Sequence, residues 1–130
     1  MMMQFRSNGD TMETSEFAFG NLTISGDDAL GYRPFQLMVA SIVGCSGSVF
    51  KKILKKQRIS FEALTVDADV ERNPDEANKI EHITLHFTVK GKDLNEEKLK
   101  KSLAIARRNC AMVRSVEDSI HIEETLKITE

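Results

Sequence analysis

Apolar and polar residues alternate near the start of the chain, on both sides of a turn signal. Met3 and Phe5 alternate with polar residues, as do Phe17 and Phe19, and the segment NGD at positions 8–10 lies between the two pairs. A period of two is typical of half-buried strands, and Asn-Gly between two such runs is typical of a hairpin turn. The sequence therefore predicts an N-terminal β-hairpin.

A long helical pattern begins at Pro34 and runs to about Gln57. Proline suits the first position of a helix because its fixed φ is already helical. The first half of the pattern is apolar on almost all sides, which predicts burial, and the second half is amphipathic. Its outer face carries Lys51, Lys52, Lys55 and Lys56, which suit the negative end of the helix dipole.

Two more strands are predicted on either side of the loop signal NPD at positions 73–75. In both strands, apolar residues alternate with polar ones, and the apolar positions are Leu64, Val66, Ala68, Val70, Ile83, Leu85, Phe87 and Val89. Such neighbours are expected to pair as an antiparallel hairpin, with one face on the core and the other in water.

A second helix is predicted from Asn95, a good N-cap residue. One face of it is apolar, at Leu99, Leu103, Ala106 and Cys110. Asn109 either breaks this helix or caps a short one that carries Cys110 through Val116. The last segment alternates again, with Ile120, Ile122, Leu126 and Ile128 inward. The order of elements predicts an α+β fold with helices packed on one face of an antiparallel sheet.

Composition narrows the class of protein. The chain has 130 residues, which predicts a single domain spanning 1–130, and its mixed charges sum to −2, which gives no reason to expect a nucleic-acid partner. The apolar run Leu37–Cys45 is far shorter than the roughly 20 residues of a membrane span, so no membrane partner is expected. The N-terminal segment MMMQFRSNGD lacks the pattern of a signal peptide, which predicts a cytoplasmic location.

The histidines do not predict a metal site. His82 and His86 fall on one face of a strand but lie some 13 Å apart at about 3.3 Å per residue. No second cluster of ligands accompanies them or His121, so no metal is expected. A group of acidic residues is expected to face solvent: Glu117, Asp118, Glu123 and Glu124.

Two cysteines, Cys45 and Cys110, are too few for a disulfide scaffold. In a reducing compartment a disulfide between them would be transient and chemical. Cys45 lies mid-helix beside Gly44 and Gly47, and glycine in a helix costs about 1 kcal/mol relative to alanine. Either close approach of another backbone or room for a small substrate would compensate. The long apolar helix also predicts a homodimer with these helices in contact.

Local sequence favours Cys110 as the more acidic thiol. If a helix begins at Asn109, the sulfur lies near its N-terminus and near Arg107 and Arg108, and both features favour the thiolate. Cys45 has no such local help. Two interpretations stay open: the cysteines are packing residues, as buried thiols often are, or they are a peroxidase pair. In such a pair one thiolate attacks a peroxide, becomes a sulfenic acid, and is resolved by the other thiol.

Both cysteine segments resemble those of a known family. The segment Arg33–Cys45 (RPFQLMVASIVGC) is similar to the first cysteine motif of the OsmC and organic hydroperoxide resistance proteins, where a proline begins the central helix. The segment 109–113 (NCAMV) resembles their second motif, Asn-Cys-Pro-Val-Ser. The predicted order of strands and helices agrees with this family along essentially the whole chain.

The resemblance implies an intertwined homodimer with its active centre at the subunit interface. It implies that Cys45 is the peroxidatic thiol and Cys110 the resolving thiol. The implied substrates are organic hydroperoxides, which are reduced to alcohols while a dithiol reductant regenerates the enzyme. No metal or organic cofactor is implied.

The chain departs from the family pattern at two positions. Phe35 stands where a glutamate normally follows the helix-opening proline and helps to hold a catalytic arginine, and Ala111 replaces the proline of the second motif. An arginine would still be needed to lower the pKa of Cys45 by opposite charge. Arg6 and Arg33 are the candidates, with Arg33 preferred for its closeness to the motif, although exposed arginines are common.

Three functions follow from these features. The first is a thiol-dependent peroxidase that reduces organic hydroperoxides through Cys45 and Cys110. The second is a catalytically weak or inactive homodimer of the same fold that acts as a binding protein, which Phe35 favours because it replaces a carboxylate. The third is a redox-sensing switch that uses the same disulfide without turnover.

Overall fold

A computed structural model describes all 130 residues of the chain. They form two compact units, residues 1–40 and residues 41–130. The first unit contains a three-stranded antiparallel sheet in the order β1 (Arg6–Asn8), β2 (Thr11–Thr14) and β3 (Leu22–Ile24). Gly9 has a φ of 60° in the turn between β1 and β2, a conformation that glycine adopts without steric cost.

The N-terminal hairpin is confirmed, but its strands are shorter than predicted. Phe5 precedes β1 and Phe17 follows β2, and their rings meet edge to face with centroids 6.2 Å apart. Phe19 is 105% exposed and lies in no strand. β2 ends at Thr14, whose hydroxyl accepts the backbone N–H of Glu16, and this local bond replaces a ladder bond.

The central helix α1 (Pro34–Lys56) has the predicted bounds to within one residue. Ile42, Phe50 and Leu54 on this helix are buried. By length and composition alone α1 could cross a membrane, since an 18-residue window has a mean hydropathy of 1.5 and is 22% buried. The core helix of a water-soluble protein passes the same test. The short apolar run in the sequence therefore does not by itself exclude a membrane, and that exclusion stays a prediction.

The second unit contains a three-stranded sheet in the order β4 (Ala63–Asn73), β5 (Lys79–Lys90) and β6 (His121–Thr129). β4 and β5 pair antiparallel, as predicted, around a 3₁₀ turn at Pro74–Glu76. β6 pairs with β5 in parallel, so the expectation of a purely antiparallel sheet is wrong here. The helices between β5 and β6 form the long crossover that returns the chain to the same end of the sheet.

Two helices make that crossover, α2 (Glu96–Arg108) and α3 (Ala111–Val116). The Asn95 side chain accepts the backbone N–H of Lys98 at 3.0 Å, which confirms it as the N-cap of α2. Asn109 ends α2, and Cys110 occupies the N-cap position of α3. A short helix therefore follows Asn109, but it begins at Ala111, one residue later than the predicted segment from Cys110 to Val116.

The core of the second unit lies on one face of its sheet. The inward residues of β5 are 0–1% exposed: Ile83, Leu85, Phe87 and Val89. Phe50 of α1 meets Phe87 edge to face at 5.6 Å, and the predicted apolar face of α2 is buried with them. Alternating residues of β5, including His82 and His86, lie on the other face. The predicted α+β fold is thus confirmed.

Glu124 contradicts the expected solvated acidic face. It alternates with the exposed Glu123 along β6 and therefore falls on the same side as the buried Ile122. Its Oε2 atom is buried and has no hydrogen-bond partner. Burial raises the pKa of the Glu124 carboxyl, and the charge of Arg107 partly offsets that rise.

Candidate active site

The two cysteines, 65 positions apart in the sequence, meet in the second unit. Cys45 comes from the middle of α1, and Cys110 precedes α3. Both are free thiols and they are joined by a hydrogen bond, in which the Cys110 S–H donates to the Cys45 sulfur. Cys110 is 0% exposed, whereas Cys45 is half-buried. The pair therefore has one thiol that solvent can reach and one that is sealed beneath it.

Three hydrogen bonds and one charge act on the Cys45 sulfur. The backbone N–H of Met112 is the main cause that lowers the pKa of Cys45, and burial opposes it. The Cys110 thiol, the Ala111 N–H and the Lys52 ammonium group lower it further. Since the thiolate is the reactive form of cysteine, this environment favours Cys45 as a nucleophile.

The environment of Cys110 instead raises the pKa of its thiol. Burial is the main cause that raises the pKa of its thiol, and the neighbouring Cys45 raises it further. The hydroxyl of Ser46 donates to the Cys110 sulfur at 3.3 Å, and this bond and the Val113 backbone offset part of the rise. The order of acidity that local sequence favoured is therefore reversed: Cys45, not Cys110, is the more acidic thiol.

The reversal follows from how the N-terminus of α3 is capped. The first N–H groups of any helix have no partner within the helix. Cys110 occupies the N-cap position without a regular capping hydrogen bond, and of these N–H groups only that of Val113 acts on its sulfur. The N–H groups of Ala111 and Met112 are directed instead at Cys45, which belongs to another helix. The Cys45 sulfur thus receives two of the donors that local sequence favoured for Cys110.

Sequence reasoning missed Lys52 and Ser46. Lys52 was placed with the solvated end of α1, although it follows Cys45 by seven residues, two helical turns along the same face. That spacing is a signal that could have identified it. Ser46 gave no comparable signal, because its partner Cys110 is 64 residues away.

The two candidate arginines lie in the first unit. The guanidinium of Arg33 stacks over the ring of Phe35, with its central carbon 4.8 Å from the ring centroid. Arg33 therefore contacts the residue that stands in place of the family's glutamate. Arg6 lines a cleft of about 350 Å³ together with Glu13 and Glu16. The role of either arginine towards Cys45 stays a prediction.

The glycines beside Cys45 border open space. A Cβ added at Gly44 or Gly47 would meet no atom within 4 Å beyond the neighbouring helix backbone. Close approach of this chain's own backbone is therefore not the reason for glycine at these positions. The other compensation that the sequence suggested, room for a small substrate, is compatible with this open space.

These features define an α+β protein with a pair of contacting thiols of unequal acidity. The OsmC-like protein family matches residues 26–125, which is most of the chain. The chain belongs to that family, and the resemblance seen in the cysteine motifs is confirmed.

The chain is also similar to individual proteins in sequence and in fold. Protein YhfA of Escherichia coli K12 is 27% identical over 105 residues, covering 80% of this chain and 77% of that protein. The OsmC-like protein of Mycoplasma pneumoniae has the same fold, with a TM-score of 0.82, 14% identity, and coverage of 98% of this chain and 95% of that one. An organic hydroperoxide resistance protein of Legionella pneumophila has a TM-score of 0.68 and 18% identity over 98% and 94% of the two chains.

Proposed function

We propose that this chain is a cytoplasmic two-cysteine peroxidase that reduces organic hydroperoxides to alcohols. One observation carries the proposal: the solvent-accessible thiol with a lowered pKa, Cys45, is in hydrogen-bond contact with a buried thiol whose pKa is raised, Cys110. An accessible thiolate beside a resolving thiol is the arrangement that reversible peroxide chemistry requires. The hydroperoxide resistance protein from Legionella shares the fold and supports the same substrate class.

The proposed reaction has three balanced steps. The Cys45 thiolate attacks the distal peroxide oxygen, the O–O bond breaks, and the alkoxide takes a proton to leave as an alcohol, which leaves Cys45 as a sulfenic acid. The Cys110 sulfur then attacks the Cys45 sulfur, and its proton leaves with the hydroxyl as water. A dithiol reductant exchanges with the resulting disulfide and restores both thiols while it becomes a disulfide itself.

The raised pKa of Cys110 directs the first step to Cys45. A thiol that stays protonated is a poor nucleophile towards the peroxide, so oxidation starts at Cys45 rather than at both sulfurs. Since Cys110 is fully buried, bulky peroxides reach Cys45 first. The difference between the two thiols in exposure and acidity therefore supports Cys45 as peroxidatic and Cys110 as resolving.

Intact-mass analysis of the reduced protein after one equivalent of cumene hydroperoxide tests this function. We expect loss of two hydrogens and a Cys45–Cys110 disulfide in the non-reducing peptide map. Cys45→Ser should consume no peroxide, whereas Cys110→Ser should stop at the sulfenic acid, which a dimedone adduct would reveal. Peroxide consumption that survives in Cys45→Ser would contradict the proposal.

We also propose that the chain works as a homodimer with α1 at the interface. Its apolar window is 22% buried, and Met38, Gly44 and Ser48 on the helix are exposed. A second copy is favoured over a lipid surface because the other half of the helix is amphipathic and anchors Phe50 and Leu54 in a core.

Gly44→Ala gives a sharp test of that interface. In an isolated chain the new Cβ meets no atom within 4 Å beyond its own helix, and alanine favours a helix by about 0.8–1.0 kcal/mol over glycine. The substitution should therefore stabilise a monomer but weaken a dimer in which the partner packs over Gly44. Light scattering that shows monomers of the unmodified chain at micromolar concentration would overturn the homodimer.

A redox switch or binding protein is the second candidate, and Phe35 favours it, because the family's carboxylate is absent at that position. Such a protein would form the Cys45–Cys110 disulfide once but would not turn over with a dithiol. Steady-state peroxide consumption with dihydrolipoamide as reductant separates the two functions. Turnover supports the peroxidase, whereas rapid disulfide formation without turnover supports the switch.

A further inference from the structure

A cluster of histidine and carboxylate groups lies on the outer face of the second sheet, and the thiol chemistry does not use it. β5 and β6 pair in parallel with His82 opposite His121, so both imidazoles leave the sheet on the same side. Glu123 follows His121 by two residues and therefore lies on that side as well. The opposite face of β5 is the buried one, with Ile83 fully covered.

The distances within this cluster match those among the ligands of one metal ion. His121 Nε2 lies 3.1 Å from one oxygen of Glu123, and His82 Nε2 lies 3.5 Å from the other oxygen. Ligand atoms at about 2.0–2.1 Å from a tetrahedral zinc ion are about 3.3–3.4 Å apart. One ligand atom from each of His82, His121 and Glu123 falls within 4.8 Å of the others, so small side-chain rotations would complete the set.

A second carboxylate, that of Glu71, lies close to the imidazole of His82. Glu71 pairs with His82 across β4 and β5, and its Oε2 atom is 3.9 Å from His82 Nδ1. Metal-bound histidines commonly donate their other ring N–H to such a carboxylate, which orients the ring and makes the ligating nitrogen more basic. Glu71 lies on the Nδ1 side of His82, and the other ring nitrogen, Nε2, faces Glu123 in the cluster.

The kind of ligands indicates the kind of ion. Two imidazoles and one carboxylate suit Zn²⁺ and its transition-metal neighbours, whereas Mg²⁺ and Ca²⁺ prefer oxygen ligands alone. Three protein ligands leave a fourth position for water. His121 and Glu123 are exposed and His82 is half-buried, so an ion can enter from solvent.

We propose that His82, His121 and Glu123 form a binding site for a divalent transition-metal ion such as Zn²⁺, with Glu71 positioning His82. The spacing of His82 and His86 along one strand gave no reason to expect a metal. The parallel pairing of β6 supplies the second imidazole and the carboxylate instead.

Calorimetric titration of the untagged, reduced chain with Zn²⁺ tests the site. His86 provides the matched control, because it lies on the same strand and the same face but bonds to Thr125 instead of the cluster. We expect one ion per chain, with affinity lowered by about tenfold or more in Glu71→Gln. The loss should be larger in His82→Ala and in Glu123→Gln, and His86→Ala should bind as the unmodified chain does.

The thiols are the competing ligands for the same ion. We therefore repeat the titration with Cys45→Ser, which should retain the histidine-dependent binding. Long-range ¹H–¹⁵N NMR spectra of the histidine rings add a direct readout. Zn²⁺ should shift the ring-nitrogen resonances of His82 and His121 but not those of His86. The proposal is overturned if no stoichiometric binding occurs, if His82→Ala binds normally, or if binding disappears in Cys45→Ser instead.

Discussion

Replacing Ala111 by proline would remove one hydrogen-bond donor from Cys45 and leave the backbone in place. Ala111 is the first residue of α3, a position where proline fits because its N–H has no partner within the helix. The preceding residue, Cys110, has φ −87° and ψ 109°, the extended conformation that proline favours in the residue before it. The substitution is therefore compatible with the fold, and its main effect is the lost N–H.

The size of the expected change in the pKa of Cys45 follows from the strength of the hydrogen bond that the Ala111 N–H donates. A hydrogen bond to a charged group contributes about 1.5–3 kcal/mol. Cys45 is half-buried, and the Ala111 N–H lowers its pKa less than the Met112 N–H does. Allowing for solvent screening, we expect the Ala111 hydrogen bond to stabilise the Cys45 thiolate by about 0.5–1 kcal/mol. Losing this bond corresponds to about a twofold to fivefold smaller thiolate fraction at neutral pH.

The assay is the rate at which iodoacetamide alkylates Cys45, measured across pH by peptide mass spectrometry. For the unmodified chain, the lowered pKa of Cys45 predicts a midpoint below that of an ordinary cysteine, and Ala111→Pro should move it upward. The midpoint is a better measure than a single rate, because a thiolate of higher pKa is intrinsically more nucleophilic and partly compensates.

Ala111→Ser is the matched control, since it keeps the N–H and should leave the midpoint where it is. Unfolding curves must show that both variants fold as stably as the unmodified chain. If the proline variant folds normally and its midpoint is unchanged or lower, the Ala111 N–H does not stabilise the Cys45 thiolate, and our account of the site is wrong.

Three other substitutions test the site and the core. Ser46→Ala removes a donor from the Cys110 sulfur and should slow disulfide formation about twofold to tenfold, as a longer-lived sulfenic acid trapped by dimedone would show. Glu124→Gln removes a buried carboxylate charge and should raise the free energy of unfolding at neutral pH by about 1 kcal/mol; a decrease would mean that attraction to Arg107 dominates. Phe87→Ala should lower that free energy by about 3–5 kcal/mol in chemical denaturation, whereas the exposed Phe19→Ala should change it by less than about 0.5 kcal/mol.

Local patterns were sufficient for most of the fold. The bounds of α1, the N-cap at Asn95 and the inward face of β5 depend on neighbouring residues, and the structure has them as predicted. The direction of β6 could not be predicted in this way, because alternation identifies a strand but not its partner. The same pairing determines the cluster at His82 and His121, so that cluster was missed with it.

The acidity of Cys45 could not be predicted for a related reason. The sequence identifies the helix end that offers free N–H groups, but it does not identify the atom that accepts them. Cys110 precedes this helix end directly but receives only the Val113 donor, whereas Cys45 receives the Ala111 and Met112 donors from another helix.

The replacement of the family's proline by Ala111 affects the Cys45 sulfur directly. The proline in the family motif that this segment resembles has no N–H to offer, whereas Ala111 in this chain adds a donor to the Cys45 sulfur. Phe35 replaces a carboxylate that would help to hold an activating arginine, whereas Ala111 adds a hydrogen bond that stabilises the Cys45 thiolate. The two departures therefore have opposite expected effects on the pKa of Cys45, and the causes that lower this pKa here include the Ala111 N–H and no arginine.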